Sequence, residues 1–408
     1  MENMNSVAET FIKLAKIPSP SLKEENVSQE ILRLLDRENI CAKKDEYGNV
    51  IVKVAATDKN KKPIALSSHM DVVGDDSPVN VVISADGKFI ETDKKRTLGS
   101  DDKIGGAAAI ELALEVAQST KPHGGLELVF TKDEEQNLTG IKHFDSSVLN
   151  SKYILVLDSD KLGDFMTSGA GYTIGSLSVK TFKGGHSGID IHEKNRLNAV
   201  KLIGELVSEI PQGVIKQDES GTVTSINIGT IIGGGVDSAI SKLIEQGDTS
   251  VNFSEFIFKH SVTNVINTTA YAAYSIRSSE KQTEELLIQK IQKIVEEFND
   301  KYNSYASASF ETKEHMPPFE KSGDALMEEI AAKSAQESGI TPTIGTFHAG
   351  AETHLYKYMK NASGETLVPF LVGVANIYNM HSPDEKVEIE SIEKGYNFLR
   401  NIFFNFNA

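Results

Sequence analysis

At 408 residues the chain is longer than one hydrophobic core usually grows, so two domains are expected. Its 39% hydrophobic and 25% charged residues are ordinary for a globular protein. A net charge of -16 and a pI near 5.2 argue against nucleic acid or an anionic membrane as partner.

The N-terminal MENMNSVAETFIKLAKIPSP carries early acidic residues and no apolar core, so no signal peptide is expected. No stretch approaches the ~18 apolar residues of a membrane span. The lone Cys41 excludes an intrachain disulfide framework and suits a reducing cytoplasm. Apolar spacing predicts helices over 5–16 and 24–38, then strands at Asn49–Val54 and Ile64–Ser68. Ile104, Ala108, Leu112 and Val116 recur on one helical face within 103–118. Leu126–Phe130 and Tyr153–Leu157 read as strands buried on both faces. This alternation predicts an α/β doubly wound sheet.

The pattern changes near Gly171. A strand (Gly175–Phe182), a Gly-rich turn, a helix (Arg196–Glu209), two strands (Thr222–Ile231, Asn267–Ser275) and a long helix (Glu280–Asn299) follow. A helix at Asp324–Glu337 then resumes the earlier style. Residues 175–312 are therefore expected to form an inserted α+β domain, with 1–174 and 313–408 forming the first. Gly233-Gly234-Gly235 lacks the Lys-Ser/Thr of a phosphate loop and reads as a turn.

Short acidic and histidine segments follow several of these elements. His69 ends a strand, where open α/β sheets place ligands, and Asp71 is within reach of its second ring nitrogen. Asp101 and Asp102 precede the helix of 103–118, and Asp101 is the candidate bridge between two cations. Glu134 is assigned as general base and its neighbour Glu135 as ligand. Asp158, with Asp160 as rival, and His381 complete the set. Alone, each segment reads as a surface turn or a helix cap. Together they give one ion His69, Asp158 and Asp101, and a second His381, Glu135 and Asp101. Zinc is the first choice, and cobalt and manganese accept the same donors.

The segments SSHMDVV, LGSDDKIGG, FTKDEEQNLTG, LDSDKLGD, KGGHSG, HAGAE and MHSPDEKVEI resemble, in order, those of the dinuclear-zinc exopeptidases that include tripeptidase, aminoacyl-histidine dipeptidase and glutamate carboxypeptidase. GGHSG, HAGAE and HSPDEKVEI look closest to the dipeptidase branch, whereas the length and LDSDKLGD look like tripeptidase. The short interval from His69 to Asp101 excludes relatives with their extra domain there.

The resemblance implies a zinc-exopeptidase-like sheet whose inserted domain is a lid and dimerisation module. It also implies a short-peptide substrate and a cytoplasmic homodimer. His186 aligns with a lid histidine that reaches a neighbouring active site and stabilises an oxyanion. Arg277 matches an arginine gripping a substrate carboxylate. Gly350 and Glu352 match a substrate-contacting loop that His348 supports, and Asn227 is a further lid candidate. His123, His143, His192, His260, His315 and His354 fit no ligand motif. A deacylase of N-acyl amino acids is the alternative with the same chemistry, and a non-catalytic metal-binding scaffold is the reading from another class.

Overall fold

The structure, a computed structural model, describes residues 5–218, 221–234 and 263–408, so His260 and Gly235 lie outside the described residues. The chain divides into two compact units: Met1–Ser168 with Phe319–Phe347 and Ala351–Ala408, and Gly169–Pro318 with His348–Gly350. The second unit extends beyond the expected 175–312 at both ends. Its first strand begins at Gly171, and its last, largely polar strand runs to Met316.

In the first unit, helices α1 (Ser6–Ala15) and α2 (Glu25–Asp36) precede strands β1 (Cys41–Lys44), β2 (Val50–Val54) and β3 (Ile64–His69). Strands β4 (Val81–Ile83) and β5 (Phe89–Thr92) lead to helix α3 (Ser100–Gln118). Then come β6 (Leu126–Thr131), short helices α4 (Glu134–Asn137) and α5 (Thr139–Lys142), β7 (Tyr153–Val156) and β8 (Asp164–Gly169). The second unit holds β9 (Gly171–Thr181), β10 (Gly185–His186), α6 (Ala199–Glu209), β11 (Gly213–Gln217) and β12 (Val223–Gly233). It continues with β13 (Val265–Ile266), β14 (Thr269–Ser278), α7 (Lys281–Tyr302) and β15 (Ala306–Met316). The chain then returns to the first unit through α8 (Leu326–Glu337), β16 (Thr343–Phe347), α9 (Thr353–Tyr356), β17 (Val368–Val372), β18 (Ile377–Tyr378), β19 (Lys386–Glu388) and α10 (Ile389–Phe406).

The eight-stranded sheet of the first unit has the order β1-β2-β6-β3-β7-β17-β8-β16. Its middle is parallel, because β6, β3, β7 and β17 pair in one direction, and β2 and β8 flank them antiparallel. Every residue of β3, β6, β7 and β17 is buried, which accounts for their apolar character. Helix α3 packs on β3 and against α1 and α10, and the core runs through all of them. A four-stranded sheet, β18-β19-β5-β4, stands apart from the large one.

The second unit is a five-stranded antiparallel sheet, β11-β12-β14-β9-β15, with α6 and α7 packed on β14. Alternation along β14 buries Ala270, Ala272, Tyr274 and Ile276 in that unit's own core, while Tyr271, Ala273, Ser275 and Arg277 point to the other face. No helix among the described residues is long and apolar enough to cross a membrane.

Candidate active site

The parallel strands of the first unit end at one edge of the sheet, and this edge gathers the expected ligands. His69 is the last residue of β3, and Asp158 follows β7 by two positions. Glu134 and Glu135 open the short helix α4, reached from β6 through Asp133 in a left-handed conformation (φ 53). Asp101 lies in the first turn of α3 with non-helical φ and ψ, and its peptide bond to Asp102 is cis. His381 sits in the loop between β18 and β19.

The two oxygens of Asp101 face different histidines. Oδ1 is 3.0 Å from His69 Nε2, and Oδ2 is 2.8 Å from His381 Nε2. Glu135 Oε1 lies 3.2 Å from the same His381 nitrogen, and Asp158 Oδ1 lies 3.7 Å from His69 Nε2. His69, Asp101 and Glu135 offer ligand atoms within 4.8 Å of one another. Asp160, the rival of Asp158, has an exposed side chain and gives its backbone carbonyl to Ile377 N.

The electrostatics follow from packing these charges together. Burial penalises the charge on Asp101, yet hydrogen bonds from His381 and His69 outweigh it and hold the carboxyl far below its usual range. Burial and the adjacent Asp101 push Asp158 up to about 8. Burial also opposes the charge on His69, but hydrogen bonds to Asp101, Asp158 and Asp71 raise this ring well above its ordinary value. Hydrogen bonds to Asp101 and Glu135 raise His381 to about 10. Protons on two imidazoles thus neutralise a cluster of carboxylates. Divalent cations would do the same with the donors present, so the residues fit a metal pair.

Glu134 stands beside this cluster. Burial, then the charges of Asp158, Glu135 and Asp101, push it up to about 8 against the pull of His69. That suits a group that must take up and return a proton near neutral pH.

Asp71 meets the second ring nitrogen of His69 through both its backbone and its side chain. His69 Nδ1 is 2.9 Å from the Asp71 backbone carbonyl oxygen and 3.5 Å from its carboxylate. The buried carboxylate also accepts from Glu134 N at 3.0 Å, Glu135 N at 3.2 Å and Ser21 Oγ at 2.7 Å. It caps the turn that carries Glu134 and Glu135.

Glu352, assigned above to a substrate-contacting loop, is 1% exposed. Its Oε2 accepts from Ser67 Oγ at 3.2 Å, and Ser67 also meets Tyr356 Oη at 3.0 Å. Burial and the charge of Glu134 push Glu352 up to about 8. It therefore sits behind His69 and Glu134, away from any open surface.

The remaining expected residues belong to the second unit. Arg277 pairs across the sheet with Ser225 on one side and Tyr172 on the other, and its guanidinium lies 4.2 Å over the Tyr172 ring. No carboxylate among the described residues pairs with it. His348 Nε2 is 2.9 Å from Ser225 Oγ, and burial and the Arg277 charge lower its pKa. Asn227, two residues along β12, accepts from Gln212 Nε2 at 2.8 Å. Gly350 approaches Met316, where a side chain would meet its Sδ at 3.1 Å. His186 is exposed on β10, and its Nδ1 accepts from Gly188 N at 3.1 Å and Ile189 N at 3.3 Å, leaving Nε2 as the donor end. Tyr172, Ser225 and Glu385 were not singled out from the sequence, because a tyrosine, a serine and a glutamate in polar text carry no spacing signal.

Residues 65–405 match the model of peptidase family M20/M25/M40. The chain belongs to this family. As a family member it is an enzyme, a peptidase. It is 26% identical over 405 residues to the uncharacterized protein YqjE of Bacillus subtilis, covering 97% of this chain and 96% of that one. It is 28% identical over 212 residues to the cytosol non-specific dipeptidase of Escherichia coli, 45% of this chain and 42% of the relative. Two solved structures share the fold along the whole chain. Aminopeptidase PepT from Bacillus cereus has a TM-score of 0.81 at 21% identity, covering 99% of both chains. A tripeptidase from Staphylococcus aureus has a TM-score of 0.77 at 20% identity, covering 98% of both.

Proposed function

We propose that this peptidase hydrolyses di- and tripeptides with a pair of divalent ions, zinc first. The supporting observation is the Asp101 carboxylate with one oxygen toward His69 and the other toward His381. His69 and Asp158 would complete one ion site, and His381 and Glu135 the other, with Asp101 shared. When bound, such a pair lowers the pKa of water and polarises the scissile carbonyl. Glu134 takes the proton of the attacking water on its carboxylate and delivers it to the leaving amine. Asp71 holds the Glu134 and Glu135 amides, fixing the base beside its neighbour ligand. His186 supplies its Nε2–H to the developing oxyanion from a second copy of the chain, in a homodimer formed through the second unit. Arg277, stacked on Tyr172 and free of a carboxylate partner among the described residues, binds the peptide's C-terminal carboxylate, with His348, Asn227 and Gly350 beside it.

Short peptides are favoured by the activities for which two similar proteins are named, a dipeptidase and a tripeptidase. A cytoplasmic site of action is consistent with the lone cysteine. The test is a panel of di- and tripeptides and N-acyl amino acids, assayed on metal-stripped enzyme reloaded separately with zinc, cobalt and manganese. Turnover of short peptides only after reloading is expected. Preference for N-acyl amino acids, or full activity without ions, would reject the proposal.

A further inference from the structure

Asp101 and His381 come from opposite parts of the sequence, and neither sits on a strand of the large sheet. Asp101 follows a loop that leaves β5, and His381 lies in the β18–β19 loop. The small sheet brings these loops together, because β19 pairs antiparallel with β5, Lys386 opposite Glu91. At the mouth of β19 stands Glu385, 1% exposed.

Its carboxylate is saturated by one short segment. Oε2 accepts from Thr97 Oγ1 and from Gly99 N at 3.0 Å. Oε1 accepts from Ser100 N at 2.8 Å, from Ser100 Oγ, and from Asp101 N at 3.4 Å. A carboxylate so occupied has no oxygen left to hold an ion or move a proton. What it fixes is backbone: the amides that open α3, where negative charge is favoured, including that of Asp101 itself. Because Glu385 is four residues from His381 and bonded to Asp101 N, one side chain ties the two loops that meet at 2.8 Å between His381 Nε2 and Asp101 Oδ2. His69 and Asp158, by contrast, are carried by β3 and β7, paired within the large sheet.

We infer that Glu385 is a positioning residue that sets the spacing of Asp101 and His381, and so the affinity of the ion site they share with Glu135. The inference rests on the two-ion reading above. It predicts an unequal defect: both sites share Asp101, but the first keeps His69 and Asp158 on the large sheet, whereas the second loses the register of both Asp101 and His381.

The test is ion titration by calorimetry, with steady-state kinetics at stepped zinc concentrations, on the full-length wild type and E385Q. The wild type should take two ions. E385Q should bind one ion about ten- to hundredfold more weakly and the other with a clearly smaller loss. Its kcat should fall at limiting zinc with KM little changed, and recover as zinc is raised. A purely structural loss of stability would lower the denaturation midpoint of the metal-stripped protein and weaken both sites alike, so a thermal scan of that form accompanies the titration. S100A removes one donor to Glu385 without altering charge and should shift the same site in the same direction by less. If E385Q fails to fold, S100A decides alone. Two wild-type affinities in the deciding variant, or an equal weakening of both sites, would overturn the inference. A wild type that binds fewer than two ions would instead reject the two-ion reading beneath it.

Discussion

At the scale of single residues, position relative to the ligands separates the roles. Glu134 and Glu135 are chain neighbours on one turn, yet only Glu135 lies against His381. Glu134→Gln keeps the shape and loses the proton acceptor, so kcat should fall about 10²- to 10⁴-fold. Metal analysis should still find both ions. Retained turnover in that variant would remove Glu134 as the base. Arg277→Met keeps the stem over Tyr172 and removes the charge. A hydrogen-bonded charge contributes about 1.5–3 kcal/mol, so KM for peptides with a free carboxylate should rise roughly ten- to hundredfold. Peptides amidated at the C-terminus should be turned over equally by both proteins. An equal loss on both substrates would place Arg277 outside carboxylate recognition.

At the scale of elements, the site depends on how closely α3 approaches β7. A Cβ at Gly105 would lie 2.2 Å from Asp102 Oδ1 and 2.7 Å from the Leu157 carbonyl oxygen, next to Asp158. Gly105→Ala must push the helix away from that segment. A cost of about 1–3 kcal/mol is expected from such overpacking, read as a lower denaturation midpoint together with weaker metal binding. An unchanged midpoint would mean that α3 yields freely. These contacts explain what was legible beforehand. Strands β3, β6 and β7 are buried on both faces, so they read as apolar runs, and His69, Glu135 and Asp158 stand at or a few residues past their ends. Strand β15 is mostly exposed, and its text ASASFETKEHM hid it in the tail of the inserted unit. The two- and three-residue strands β18 and β19 are too short for any period to show. Glu385 read as one more charge in a polar turn, because its donors are assembled only when β19 meets β5.

At the scale of the whole molecule, the charge cluster links stability to pH and to ions. Glu134 and Glu352, ordinarily near 4.5, and Asp158, ordinarily near 3.8, all stand at about 8 in the folded protein. Between the ordinary and the raised values the folded state holds protons that the unfolded state has released. Stability of the metal-stripped protein should therefore fall as pH rises from about 4.5 to about 8. His381, raised from 6.5 to about 10, adds to the decline: its contribution is complete below 6.5 and lost as pH passes 10. Divalent ions need ionised carboxylates and neutral imidazoles, so the gain in Tm from added zinc should grow across the same interval. Thermal scans with and without zinc from pH 5 to 9 check this, and a zinc effect independent of pH would contradict it. The strand order carries one more consequence. Strand β17 enters the middle of the large sheet beside β7, with Val368 opposite Tyr153, and the whole inserted unit intervenes in sequence. Contacts of such separation carry the entropic cost of closing a long loop. His381 lies beyond β17 still, so the cluster exists only where the two ends of the chain have met, and neither flank of the inserted unit holds all of it alone.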